Sequence, residues 1–365
     1  MQNIDQMAPW LGEEEKQAVA AYMDTGPWLT EFRKTQEFEA MIAAYVGSRH
    51  AIALSNGTVT LFAALAALGI GKGDEVIVPD YTMIASANAV VMAGATPVFV
   101  DVSADTLCLD LDFLEQAITP RTRGIMLVTL NGRFPDMERV LAIAGRHHLH
   151  LIEDAAQALG SRCGSKHLGT FGEIGSFSFS APKIITTGQG GALVTDDPQL
   201  ADKIRKVKDF GRQKAGVDYH ESIGYNFKIT DLQAVIGIEQ MKKLDWRVAR
   251  KKDMFGIYRS ELEGVPGLSM IPTDLANTSP WFIDILVNDR TGLQAFLRER
   301  GIGTRPFYPA IHSQPPYGLS GNFPVTEDIS ARGLWLPSSS FLTDDDIRRV
   351  CADIREFCGT AGKTR

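Results

Sequence analysis

The sequence predicts an α/β fold, a mainly parallel sheet sandwiched by helices with a smaller C-terminal α+β domain. Strand-like and helix-like segments alternate through the first two thirds of the 365 residues. A long helical run with little glycine or proline follows, and a shorter α+β stretch lies beyond it. With 44% hydrophobic residues, the chain can bury a large core.

The elements follow in order. Residues 51–54 are short and apolar, and Asn56-Gly57-Thr58 opens a helical run over residues 59–68. Residues 75–79 read as a strand, 82–93 as a helix and 96–100 as a strand. A further strand covers 124–130, a helix 136–147 and a strand 149–154. Units of this kind align their strands in parallel, and ligands then sit at the carboxyl ends of the strands. The run over residues 230–262 bridges to a second unit with a strand at 281–287, a helix at 291–301 and a last helix at 344–357. The division is expected at residues 1–245 and 246–365. Aromatic residues run through the proline-rich piece 305–317, which therefore reads as an ordered loop.

Composition excludes several classes. Net charge is −7 with no block of like charges, so nucleic acid is not an expected partner. Residues 1–6 lack the basic and apolar segments of a signal peptide, and the apolar region 84–100 is broken by Ser86, Asn88, Gly94 and Pro97. The expectation is a cytoplasmic protein without a membrane span. Cys108, Cys163, Cys351 and Cys358 show no metal or redox spacing and read as reduced thiols. His147, His148 and His150 fall where a helix ends and a strand begins, so no metal site is expected there.

Lys183 is the most informative residue. It is the only lysine between Lys166 and Lys203, with the apolar run Gly175-Ser176-Phe177-Ser178-Phe179 before it and Gly188-Gln189-Gly190-Gly191 after it. An amine in such a place loses its proton more easily than a solvated one, and a neutral amine can join an aldehyde as an imine. Pyridoxal phosphate is held in this way. That cofactor also needs a carboxylate at its pyridine nitrogen, and Asp154 ends a strand where it can serve; capping a following helix is the alternative role. Its phosphate needs donors at a helix start, which Asn56, Gly57 and Thr58 offer, with Ser178 as a further hydroxyl. Turn and cap chemistry uses the same residue types. Met83, near the start of the helix after residue 79, is the candidate for packing on the ring face.

Taken together, these segments resemble the DegT/DnrJ/EryC1/StrS family of sugar aminotransferases over essentially the whole chain. Matching stretches include Asn56-Gly57-Thr58, Glu153-Asp154-Ala155-Ala156-Gln157, the Lys183 segment, Gly224-Tyr225-Asn226-Phe227 and Arg305-Pro306-Phe307-Tyr308-Pro309. The resemblance implies a fold type I pyridoxal phosphate enzyme, a homodimer with shared active sites. It implies that Lys183 carries the cofactor, Asp154 meets the pyridine nitrogen, Gln157 lies near the ring hydroxyl, and Gly57, Thr58 and Ser178 hold the phosphate. Asn226 is implied to reach the phosphate in the neighbouring subunit; by itself it reads as a turn residue. Two departures stand out: Met83 replaces a common aromatic, and Asn56 replaces a common alcohol. Methionine packs through a polarizable sulfur.

Family dehydratases carry histidine at the lysine position, so Lys183 points to transamination. The implied reaction takes an amino group from glutamate to a nucleotide-linked 4-keto-6-deoxy sugar. The segments around Trp28, Tyr219 and Tyr317 look closest to the family's perosamine-forming members. In such members His220, Tyr308 and His312 border the sugar; structural roles for all three remain open. A 3-keto sugar or a cyclitol ketone is an alternative substrate. A non-catalytic relic is the alternative from another class, and retention of Lys183, Asp154 and Ser178 together argues against it.

Overall fold

A computed structural model describes residues 3–214 and 216–361. Two sheets organise the chain. The larger contains β1 (His50–Leu54), β2 (Glu75–Pro79), β3 (Thr96–Val100), β4 (Thr122–Val128) and β5 (His150–Asp154). After a small hairpin of β6 (Arg162–Cys163) and β7 (Lys166–His167), β8 (Ile174–Ser178) and β9 (Gly191–Thr195) complete it. The strand order is β1-β9-β8-β5-β4-β2-β3. Only β9 opposes the rest, pairing antiparallel with both β1 and β8. The strands read almost entirely buried, as expected for a sheet covered on both faces, except the edge strand β3, where only Val100 is buried.

The second sheet is antiparallel, in the order β10 (Leu268–Met270), β11 (Ile283–Val287), β13 (Gly333–Leu336) and β12 (Arg305–Pro306). Its own core joins Ile283, Ile285, Leu334 and Leu336 to Met254, Phe255 and Tyr258 of helix Leu244–Leu262, and to Ile347, Val350 and Ile354 of helix Asp344–Ala361. Residues 245 and 246 lie in the first turn of helix Leu244–Leu262. No helix among the described residues is long and apolar enough to cross a membrane.

Several expected elements differ at their edges. The strand expected to run to residue 130 stops at Val128, and Leu130–Gly132 forms a 3-10 turn with Asn131 at a φ of 53°. The helix expected from residue 82 begins at Ala85, because the Asp80–Thr82 segment is drawn inward and fully buried. The run at 230–262 is two helices, Asp231–Lys242 and Leu244–Leu262. They meet at Lys243, whose ammonium is held by Glu14 and Glu15 of helix Glu13–Asp24. His147 pairs with Glu115 and His150 with Glu173.

Asp231 ties the N-terminal helices to this framework. It starts helix Asp231–Lys242, is 1% exposed, and accepts hydrogen bonds from the backbone N–H groups of Phe32, Lys34 and Thr35 and from the hydroxyls of Thr35 and Tyr22. Thus one helix's first residue caps another, Arg33–Val46. Burial works to raise its carboxyl pKa, but the Thr35 hydroxyl and the three N–H groups outweigh it and hold the pKa below 3.8. Its contribution is therefore complete above pH 3.8 and lost only as pH falls through the lower folded value. Asp231→Ala should destabilise the protein by about 3 kcal/mol, since several donors lose their acceptor at once. Denaturant midpoints at neutral pH measure this, and an unchanged midpoint would refute the capping role.

Candidate functional site

At the carboxyl ends of β5 and β8, a cavity of about 300 Å³ opens between the sheet, the start of helix Gly57–Leu68 and the second unit. Its wall includes Asn56, Gly57, Thr58, Met83, Asp154, Gln157, Ser178, Lys183 and Tyr308. Nine of the residues singled out in the sequence therefore meet in one place.

Asp154 ends β5 level with Ser176 of β8. Its carboxylate accepts from Ser86 Oγ at 2.7 Å and from the Ala156 N–H at 3.2 Å. The next helix after Asp154 begins only at Pro198, so the helix cap offered as its alternative role has nothing to cap. Burial raises its pKa, while Ser86, Lys183 and the Ala156 N–H pull the other way.

Lys183 sits in a turn whose backbone closes from Lys183 N–H to the Ser180 carbonyl at 3.0 Å. Its ammonium lies 4.0 Å from the ring centre of Trp281, and the Trp281 indole donates to the Pro182 carbonyl at 2.6 Å. Desolvation pulls the lysine pKa down to about 8, the charge of Arg305 adds to that, and Asp154 opposes it. The amine is thus poised between its two protonation states near neutral pH.

The opposite end of the cavity is built from close backbone approaches. Asn56 caps helix Gly57–Leu68, its side chain accepting from the N–H groups of Thr58 and Val59 at 3.0 Å each. This chain's asparagine therefore acts on the helix, and one of the N–H groups the sequence offered to an anion is already taken. A Cβ on Gly57 would stand 2.8 Å from Ser178 Cβ. The Ser178 hydroxyl has only long partners, Ser180 N and Oγ at 3.4 and 3.5 Å. A weakly engaged hydroxyl beside a helix N-terminus is chemistry that suits a phosphate. With the lysine amine and the buried carboxylate at the other end, the donor set fits pyridoxal phosphate.

Gln157 Oε1 accepts from the Asn131 N–H at 2.8 Å, which fixes the side chain at the cavity wall. Met83 is 45% exposed, and its sulfur accepts from the Ala85 N–H at 3.1 Å. Three candidates do not line this cavity. His312 is buried on Asp80, its Nδ1 2.6 Å from the carboxylate and its ring stacked on Phe323. His220 is exposed, with Nδ1 bonded to the Phe210 carbonyl, and Asn226 is exposed beside Asp209. Sequence reasoning missed Ser86, Trp281 and Arg305. Ser86 lies three residues after Met83 and Arg305 three before Tyr308, each beside a residue already singled out, whereas Trp281 comes from a segment with no such neighbour.

A family model for the DegT/DnrJ/EryC1/StrS aminotransferases matches residues 9–355. The chain belongs to that family. It is a pyridoxal phosphate-dependent aminotransferase. It is 37% identical to a GDP-perosamine synthase of Escherichia coli O157:H7, covering 98% of this chain and 99% of the relative. Identity to the GDP-perosamine synthase of Caulobacter vibrioides is 39%, covering 96% of each. Among solved structures, the aminotransferase TlmJ from Streptoalloteichus hindustanus superposes with a TM-score of 0.94 at 31% identity, covering 100% of both chains. DesV of S. venezuelae, solved with a ketimine intermediate, gives 0.90 at 36% identity, covering 95% of this chain and 94% of that one.

Gly57→Ala should push the start of its helix away from Ser178 and weaken pyridoxal phosphate binding by about tenfold or more, a loss of roughly 1.4 kcal/mol. Fluorescence titration of the apoenzyme measures it. Unchanged affinity would mean that the approach of Gly57 to Ser178 does not shape the binding site.

Proposed function

We propose that the protein moves an amino group from glutamate to the keto carbon of a nucleotide-linked 4-keto-6-deoxyhexose, with GDP as the nucleotide. The observation that carries this is the meeting of Lys183, Asp154 and Ser178 in one cavity. The near end-to-end similarity to GDP-perosamine synthases supports the choice of sugar nucleotide.

Bound pyridoxal phosphate supplies an aldehyde that joins amines and a ring that draws electrons from the carbon bearing the amine. Lys183 would be the amine that anchors that aldehyde. When free, its amine would take the donor's α-proton as a base and deliver a proton as an acid, in both halves of the transfer. A pKa near 8 suits both duties. Asp154 keeps a proton on the pyridine nitrogen, and Ser86 orients its carboxylate. Ser178, Gly57 and Thr58 hold the phosphate; Asn56 shapes that end as the helix cap. Gln157 would meet the ring hydroxyl, and Met83 would pack on the ring. Tyr308 borders the sugar, and the loops of His220 and His312 surround it.

Asn226 serves the partner subunit's phosphate, so the working unit is a homodimer with composite sites. Its exposure, and that of Trp28, Tyr219 and Ile223 at 68%, 62% and 82%, supports a covering partner. The enzyme works in the cytoplasm.

A screen of keto-sugar nucleotides with glutamate, read by mass spectrometry, tests the reading. The amino sugar should form from a GDP-linked 4-keto sugar, and Lys183→Ala should abolish both the product and the visible absorbance of the bound cofactor. Formation of product only from a 3-keto sugar or a free cyclitol ketone would overturn the substrate assignment. Asp154→Asn should keep the cofactor but slow both half-reactions by about a hundredfold or more, because an amide cannot sustain the ring's positive charge. Wild-type rates in stopped-flow measurements would remove Asp154 from the chemistry.

A further inference from the structure

Arg305 is the one charged residue of the cavity wall that the reaction above leaves without a task. It stands on β12 opposite Trp335 of β13. Its guanidinium lies 5.6 Å from the ring centre of Tyr308 and 5.4 Å from that of Trp335. Those two rings pack edge to face at 4.7 Å, so the cation rests in a firm aromatic corner. Other arginines nearby are spent on structure: Arg133 pairs with Asp284, and Arg247 donates to the carbonyls of Ile184 and Trp10. Among the described residues, no carboxylate pairs with Arg305 and no hydrogen-bond acceptor meets its guanidinium.

A planar cation with unused donors at a cavity wall calls for an anion, and its fork matches a carboxylate. Two anions belong to the proposed reaction, the carboxylate of the amino donor and the diphosphate of the sugar nucleotide. Position separates them. Arg305 and Lys183 rest on neighbouring rings of one aromatic cluster: the Lys183 ammonium lies 4.0 Å from the ring centre of Trp281, which is 6.2 Å from that of Trp335, on which Arg305 sits. In an α-amino acid, the carboxyl carbon is bonded directly to the carbon whose proton Lys183 moves. In a 4-keto sugar, the diphosphate hangs from the anomeric carbon, across the ring from the ketone. Beside Lys183, then, the arriving anion is the carboxylate.

We infer that Arg305 is the donor-binding residue of the site, holding the α-carboxylate of the amino acid next to Lys183. The inference rests on the aminotransfer proposed above. It makes Arg305 a determinant of donor selection: amines without a carboxylate gain nothing from it.

The test is calorimetric titration of the holoenzyme with glutarate, a dicarboxylate with no amine to react, and separately with GDP. Arg305→Gln should bind glutarate about tenfold more weakly or worse, and Arg305→Lys should recover part of the loss. GDP affinity should fall far less, which also reports that the variant is folded. In stopped-flow measurements, the glutamate concentration for half-maximal rate should rise by about tenfold in Arg305→Gln. Equal glutarate affinity in the wild type and Arg305→Gln, or no glutarate binding by the wild type, overturns the assignment. A loss confined to GDP also overturns it and places Arg305 on the diphosphate. A wild type that binds glutarate through Arg305 yet transfers no amine from glutamate overturns the proposed function and leaves the carboxylate assignment standing.

Discussion

Parallel pairing of β5 with β8 sets Asp154 opposite Ser176, and most of what the cavity can do depends on that register. Ser176 shares a hydrogen bond of 2.7 Å with Thr60, inside helix Gly57–Leu68. The same level of the sheet thus fixes the carboxylate at one end of the cavity and the helix start at the other. Two residues on, Ser178 reaches the cavity, with Gly191 of β9 opposite it. A Cβ on Gly191 would lie 2.9 Å from the Asn56 carbonyl carbon and from the Phe177 oxygen. The absent side chains at Gly57 and Gly191 let a helix N-terminus come down onto a strand. A slip of one residue in β8 would turn Ser178 to the other face and part the hydroxyl from the helix.

Burial acts on the charges of this cavity in a consistent sense. It disfavours the ionised form of both Asp154 and Lys183, raising one pKa and lowering the other. Each group partly restores its neighbour's charge. Ser86 biases Asp154 toward the carboxylate, and the face of Trp281 favours the ammonium form of Lys183. At Lys183 such opposed influences suit proton transfer, since a group held firmly in one protonation state cannot serve as both base and acid.

The sequence makes the parallel strands plain because each is a short buried run with turn residues at its ends. The strands Glu75–Pro79 and Thr96–Val100 match their expected bounds. The break at Lys243 carries no glycine or proline, so only its tertiary contacts with Glu14 and Glu15 expose it. At the site, Lys183, Asp154 and Gly57 were legible because their chemistry and their flanking turns lie within a few residues. Trp281 and Arg305 were not: a tryptophan before a strand and an arginine in a proline-rich loop look like packing and surface. Their roles exist only once the second sheet folds back on the first. His312 shows the converse: four residues past Tyr308, it turns away from the cavity onto Asp80.

What brings the second sheet back is a buried polar join centred on Asn131. Its positive φ, which asparagine tolerates better than most residues, turns the chain after β4. There Asn131 Nδ2 donates to the Phe282 carbonyl and to Asp284, and its Oδ1 accepts from the Phe282 N–H at 2.7 Å. Arg133 completes the join through its buried pair with Asp284. A buried ion pair is weak support for stability, because desolvation offsets attraction. Its value here is alignment. The same asparagine offers its N–H to Gln157 inside the cavity, and Phe282 is the neighbour in sequence of Trp281, which covers Lys183. One residue therefore sets the distance between the two sheets, a cavity-wall amide and the aromatic face under the lysine. Loosening that join would leave both sheets able to form while parting Trp281 from Lys183, which makes the join a condition of the chemistry as well as of the fold.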